Sequence, residues 1–258
     1  MIGAGMSKRS GRGAAVLALV MVFLAGTAGS DTLTFSGSST VQKRVLEPAQ
    51  KVLQQKTGVT IDIAGGGTIR GLRDLMKGDA AAAIASCPLD VAFQVTGIPQ
   101  EGTFQEHVIM QDLVVPIVHP SNKVKSLTAA QLADIHGGKI VNWKEVGGPD
   151  DRIVLVIPPT SSGTRAFLQD AVMSGAEFAA GAFVTVTDRE AIDIVVKSPI
   201  AVAMLSEGFA RTGGAKVKVV KAPPFKRPLS IITKDEPSAE LKAVIKFLQS
   251  KEAKKLFK

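Results

Sequence analysis

The sequence predicts an α/β fold with mainly parallel sheets flanked by helices. Three observations lead there. Short β-branched runs alternate with stretches of helical periodicity along most of the chain. Several strand-to-helix junctions are marked by Gly, Ser and Thr. The 258 residues are 45% hydrophobic and 21% charged, which is enough apolar material for a real core.

The elements follow in order. Lys8, Arg9 and Arg12 precede an apolar run over 14–25, and small residues follow in Gly26-Thr27-Ala28-Gly29-Ser30. This is the layout of a secretory leader, so 1–30 is assigned as a signal peptide, with cleavage after Ala28 or Ser30 and a start at Met1 or Met6. The run is shorter than the roughly 20 residues that span a bilayer. The alternative is an N-terminal anchor. No Cys stands near the cleavage zone, which argues against a lipid-anchored lipoprotein. Strands are predicted at 32–36, 59–63, 82–86, 113–118, 153–157, 183–187, 200–204, 216–220 and 229–232. Helices lie between them. Val41, Val45, Leu46, Val52 and Leu53 share one helical face, and Leu72, Leu75 and Met76 share another that Gly78 ends. Thr128 and Gln131 have capping-box spacing before Leu132 and Ile135. The last helix runs from Ser238 through Leu248. Turn-rich segments near 113–125 and 200–230 suggest a middle lobe bracketed by a discontinuous one: 31–115 and 201–258 in lobe 1, 116–200 in lobe 2.

Composition removes several function classes. One Cys and three His make a disulfide scaffold or a Cys-rich metal site untenable, and no metal or other cofactor is expected. The net charge of +8 loses three positive charges with the leader, leaving 28 basic against 23 acidic residues. The rest is interspersed with acids and poor in aromatics, so nucleic acid is not an expected partner.

Three junctions share one grammar of strand, Gly/Ser/Thr and helix: Gly37-Ser38-Ser39-Thr40, Gly65-Gly66-Gly67-Thr68 and Thr160-Ser161-Ser162-Gly163-Thr164. The first helical N–H groups lack intrahelical partners and sit at the positive dipole end, so an oxyanion is the natural guest. Each Ser or Thr is equally readable as a plain N-cap. Arg165 follows the third loop and is either a charge-assisted donor or a solvated helix residue. Gly65-x-Gly67-x-x-x-Gly71 lacks the downstream acid of a dinucleotide site, and Gly-x-Ser-x-Gly is absent. His119 reads as a turn residue, His136 as a helix end, Cys87 as a packing residue and Asp62 as an exposed strand residue.

These loops, together with the stretch from Leu127 to Gly148 and the segment Pro228 to Lys234, resemble the periplasmic phosphate-binding proteins of ABC transporters over nearly all of 31–258. The resemblance implies a two-lobed, type II-like periplasmic-binding-protein fold with a ligand cleft between the lobes. It implies an exported, periplasmic, monomeric binder of inorganic phosphate or a similar oxyanion, delivered to an inner-membrane ABC permease. Carried over by position, the ligand-binding set is Ser39, Thr40, Val41, Thr68, Ser86, Ser162, Gly163, Thr164 and Arg165. No catalytic residue is expected. The chain departs from the family at Ser86, where well-known members carry an Asp, and at Cys87, where others carry an Arg. Pro158 and Thr160 stand near the places of another Arg and Asp. The alternatives are a drifted ligand or sensing role on the same fold, and an exported phosphate-ester hydrolase.

Overall fold

The computed structural model describes residues 1–3, 32–97 and 99–257. The leader assigned from the sequence lies largely outside these described residues. One mixed sheet organises the chain. Its strands are β1 (Thr32–Gly37), β2 (Thr60–Gly65), β3 (Ala82–Ala85), β4 (Phe104–Val118), β5 (Val154–Ile157), β6 (Phe183–Val184), β7 (Ala201–Ser206), β8 (Lys218–Val219) and β9 (Phe225–Lys234). They lie in the order β2-β1-β3-β9-β4-β7-β5-β6, and β8 pairs with β4.

The α/β class holds, but the sheet is mixed, not mainly parallel. Pairs β1–β2, β1–β3, β5–β6 and β5–β7 are parallel. Pairs β3–β9, β4–β9, β4–β7 and β4–β8 are antiparallel. The cause is a pair of long strands through the middle. β4 runs against β9 from Phe104 opposite Lys234 to Val114 opposite Phe225, with a register shift between Val108 and Met110. The first half of β4 carries Gln105, Glu106 and His107, and this partly exposed stretch masks its strand character in the sequence.

Helices cover the sheet. A helical segment after β1 starts as α1 (Ser39–Val41), passes through a π-helical turn (Gln42–Leu46) and continues as α2 (Glu47–Thr57). Val41, Val45, Leu46 and Leu53 are fully buried, as the periodicity predicts. Gly58 ends α2 with φ 72°, a left-handed conformation that costs a glycine little. Next come α3 (Thr68–Lys77), α4 (Leu89–Thr96) and α5 (Ala129–His136), the last opened by the Thr128/Gln131 capping box. Then follow α6 (Gly163–Ala171), α7 (Asp188–Lys197), α8 (Glu207–Thr212), α9 (Ala239–Leu248) and α10 (Lys251–Lys254). Among the described residues no helix is long and apolar enough to cross a membrane.

Three cores follow the two halves of the sheet. One joins Phe35, Val41 and Leu53 to Ile231, Val244 and Leu248, so the C-terminal helix packs beside the first strand. A second joins Ile117, Val156 and Ile192 to Ala203, Leu205 and Val217. The third spans both halves, from Leu72 and Cys87 to Trp143, Leu155, Phe167 and Met204. Strand β7 therefore belongs with β5, and the chain rejoins β3 only through β9.

Candidate functional site

The three Gly/Ser/Thr junctions converge. In the first, Ser38 is the N-cap of α1, and its Oγ accepts from the Val41 N–H at 3.3 Å. Gly37 sits at φ 136°, and a Cβ there would run into the Ile84 carbonyl, so both the backbone and the packing call for glycine. In the second, Gly67 caps α3 at φ 97°, and a side chain would overlap the Ser161 carbonyl. The Ile69 N–H donates to that same carbonyl at 3.2 Å, which ties the second loop to the third. In the third, Ser162 caps α6 and accepts from the Thr164 N–H at 3.1 Å.

These loops enclose a cavity of about 200 Å³. That is below the size of a pocket for a drug-like molecule, and suits a small ion. One wall is Ser38, Ser39, Thr40, Gly66, Gly67 and Ser86; the other is Pro158, Pro159, Ser161, Ser162 and Gly163. The apolar floor includes Val156, Ile157, Met204 and Leu205. The site thus lies between the two halves of the sheet, with helix starts facing it from both.

The nine residues picked out from the sequence divide. Ser39, Thr40, Ser86, Ser162 and Gly163 line the cavity. Three others stand behind it. The Val41 N–H is bonded to Ser38, Thr68 is fully buried with its Oγ1 accepting from the Ser86 N–H at 3.2 Å, and the Thr164 Oγ1 accepts from Arg227 at 2.6 Å. Arg165 does not reach the cavity. Its guanidinium lies 4.6 Å from the Phe178 ring centroid and donates to the Pro158 carbonyl at 3.2 Å. It points away because α6 turns that face of its first turn outward.

A fourth junction was not anticipated. Strand β6 is only two residues long, so the predicted strand end at 185–187 is a loop, and Thr187 caps α7 by accepting from the Glu190 N–H at 3.1 Å. This brings Thr185, Thr187 and Asp188 to the cavity. Burial pushes the Asp188 carboxyl up to about 6; Arg227 opposes that shift and Asp112 adds to it.

Behind the cavity lies a buried charged network. Arg227 Nε donates to Asp112 Oδ2 at 3.0 Å, and its Nη1 donates to the Ser86 carbonyl at 3.0 Å as well as to Thr164. Asp112 also accepts from Arg44 and from the Ser206 hydroxyl, the latter at 2.8 Å. Arg227 and Asp112 are essentially without exposed surface. Their signal in the sequence is a charge abutting an apolar strand run: Asp112 before Leu113, and Arg227, the second of the pair Lys226-Arg227, before Pro228-Leu229. Cys87 is buried in the central core, and burial pushes its thiol up to about 12, so it packs and does not react. Among the described residues there is no group of three or more His, Cys, Asp or Glu able to hold a metal ion.

The sequence profile of the PBP superfamily domain matches residues 25–252. The chain belongs to that superfamily. Among curated relatives, the phosphate-binding protein PstS of Bacillus subtilis (strain 168) is 36% identical over 152 residues, 59% of this chain and 49% of its own length. The chain spans about half the length of such relatives in these alignments. Among solved structures, a Clostridium perfringens protein with bound phosphate superposes with a TM-score of 0.77 at 27% identity, covering 88% of this chain and 96% of that one. An ABC-type phosphate transport receptor from Vibrio cholerae gives 0.69 at 28% identity, covering 87% and 96%.

Proposed function

We propose that this superfamily member is an exported solute-binding protein that captures phosphate between two lobes and presents it to an ABC permease. The observation that carries the reading is the convergence of three helix starts, with the hydroxyls of Ser39, Thr40, Ser86 and Ser162, on one small cavity. Such a site offers hydroxyl and N–H donors to a tetrahedral oxyanion and needs no charged clamp. Similarity to phosphate binders in sequence and in structure supports the ligand class. The protein binds and releases; it performs no covalent chemistry.

The leader pattern at 1–30 supports export to the periplasm, where such a binder meets its ligand. We assign the first lobe to β1–β3, β9 and α9, and the second to the segment from the end of β4 through β8. This moves the return to the first lobe from residue 201 to about β9, because β7 pairs with β5. Capture then corresponds to closure of the two sets of loops, which touch where Ile69 meets Ser161. Isothermal calorimetry of the purified protein with phosphate, sulfate, molybdate and nitrate tests the reading. Heat with phosphate at micromolar concentrations is expected; the absence of heat with every oxyanion would refute the ligand assignment.

A further inference from the structure

We infer that the site also takes phosphoryl compounds in which a short alkyl group stands in place of one oxygen, with the phosphoryl oxygens on the helix starts and the alkyl group on the apolar floor. The inference rests on the anion-binding reading above and deepens it: inorganic phosphate fills only the donor end of the cavity.

The first observation is the division of the lining. The donors lie at the helix starts, in residues such as Ser39, Thr40 and Ser162. The floor is hydrocarbon: Val156 and Ile157 from β5, Ala203, Met204 and Leu205 from β7, and Ala191 from α7, all of them buried. The β5 and β7 backbones there run in the β5–β7 and β4–β7 ladders, and Pro158 and Pro159, which continue the surface, carry no N–H. The second observation is charge. Among the described lining residues there is no Lys, Arg or His, and the ionisable side chain present, Asp188, is an acid. The third is size. The cavity holds about 200 Å³. An apolar cavity of about 150 Å³ takes benzene, so this one has room for about eight heavy atoms, and phosphate fills little more than half of it.

Desolvation supplies the rest. A charged oxygen turned to the floor loses its water and meets neither a donor nor a cation, which is costly. A methylene in the same place leaves water for a surface of its own kind, which is favourable. The oxygens that remain keep the N–H and hydroxyl donors at the helix starts. The fit is therefore to a small amphiphilic anion of the alkylphosphonate type.

The test is calorimetry at pH 8 with phosphate and with methyl-, ethyl- and propylphosphonate on the wild type and on Ala191→Val. Wild-type affinity should rise about threefold or more with each added carbon, and so about tenfold from methyl to propyl. Ala191→Val narrows the floor and should cut the propyl-over-methyl ratio by about threefold or more. A wild-type affinity that stays flat or falls with chain length would overturn the inference, as would an unchanged ratio in a variant that still binds methylphosphonate. The wild-type series decides the matter even if the variant does not fold. A wild type that binds neither phosphate nor any phosphonate refutes the functional proposal itself. Phosphate binding with a flat or falling phosphonate series refutes only the role of the floor.

Discussion

Replacing Arg227 with Met tests whether the buried network holds the site together. Arg227 has no exposed side-chain surface and reaches three partners on three other elements: Asp112 on β4, Ser86 after β3 and Thr164 on α6. Met fills much of the volume but donates nothing. Breaking a buried ion pair by removing one partner costs about 3–5 kcal/mol. Asp112 keeps Arg44 and Ser206, so the lower end applies, about 3 kcal/mol. For a domain of this size that is a fall in Tm of roughly 6–12 °C. Thermal and urea denaturation followed by circular dichroism read the loss. Phosphate affinity should fall with it, by about tenfold, because Ser86 and Thr164 lose the group that fixes them. Arg227→Lys keeps the charge without the fork and should fall between the two. A loss below about 1 kcal/mol with unchanged phosphate affinity would refute the reasoning.

Other outcomes follow from the same geometry. Gly163→Ala should weaken phosphate binding and cost about 1–3 kcal/mol of stability, since a Cβ there overlaps Thr68 Oγ1 and lies 2.7 Å from Ser86 Oγ; calorimetry and urea melts check both. Arg165→Ala should leave phosphate affinity unchanged and cost only about 0.5–1 kcal/mol, the worth of its stacking on Phe178. His136 is fully buried and its pKa is pushed down to about 4, so the unfolded chain takes up the proton first; its stabilising effect is present above pH 6.5 and is lost as pH falls through 4. Asp188 acts with the opposite sign. Its folded carboxyl sits at about 6 against 3.8, so its contribution is present below 3.8 and lost as pH rises through 6. The two nearly cancel between them. Asp188→Asn should therefore lose about 3 kcal/mol more than the wild type as pH falls from 6.5 to 4, read by urea titration at each pH.

What was legible in the sequence was local. The anion loops are read from consecutive Gly, Ser and Thr ahead of a periodic apolar face, because capping acts within a turn. Ser38, Thr128 and Ser162 cap their helices in that way. The network was not legible, because its bonds join residues far apart in the chain. Arg227 lies 115 residues from Asp112 and 141 from Ser86. Arg165 was attractive by adjacency to the third loop, yet adjacency on a helix does not fix which face a side chain takes. Asp188 was hidden behind a strand predicted over 183–187, which in the structure stops at Val184. The mixed sheet was missed for a related reason: periodicity marks a strand but carries no sign of its direction.

A crystal structure of the protein grown with phosphate tests the central claim most directly. The account predicts tetrahedral density in the cavity between Ser39, Thr40, Ser162 and Gly163, with phosphate oxygens within hydrogen-bond distance of their hydroxyl and N–H donors. An empty cavity at saturating phosphate, or an anion bound elsewhere on the chain, would contradict it.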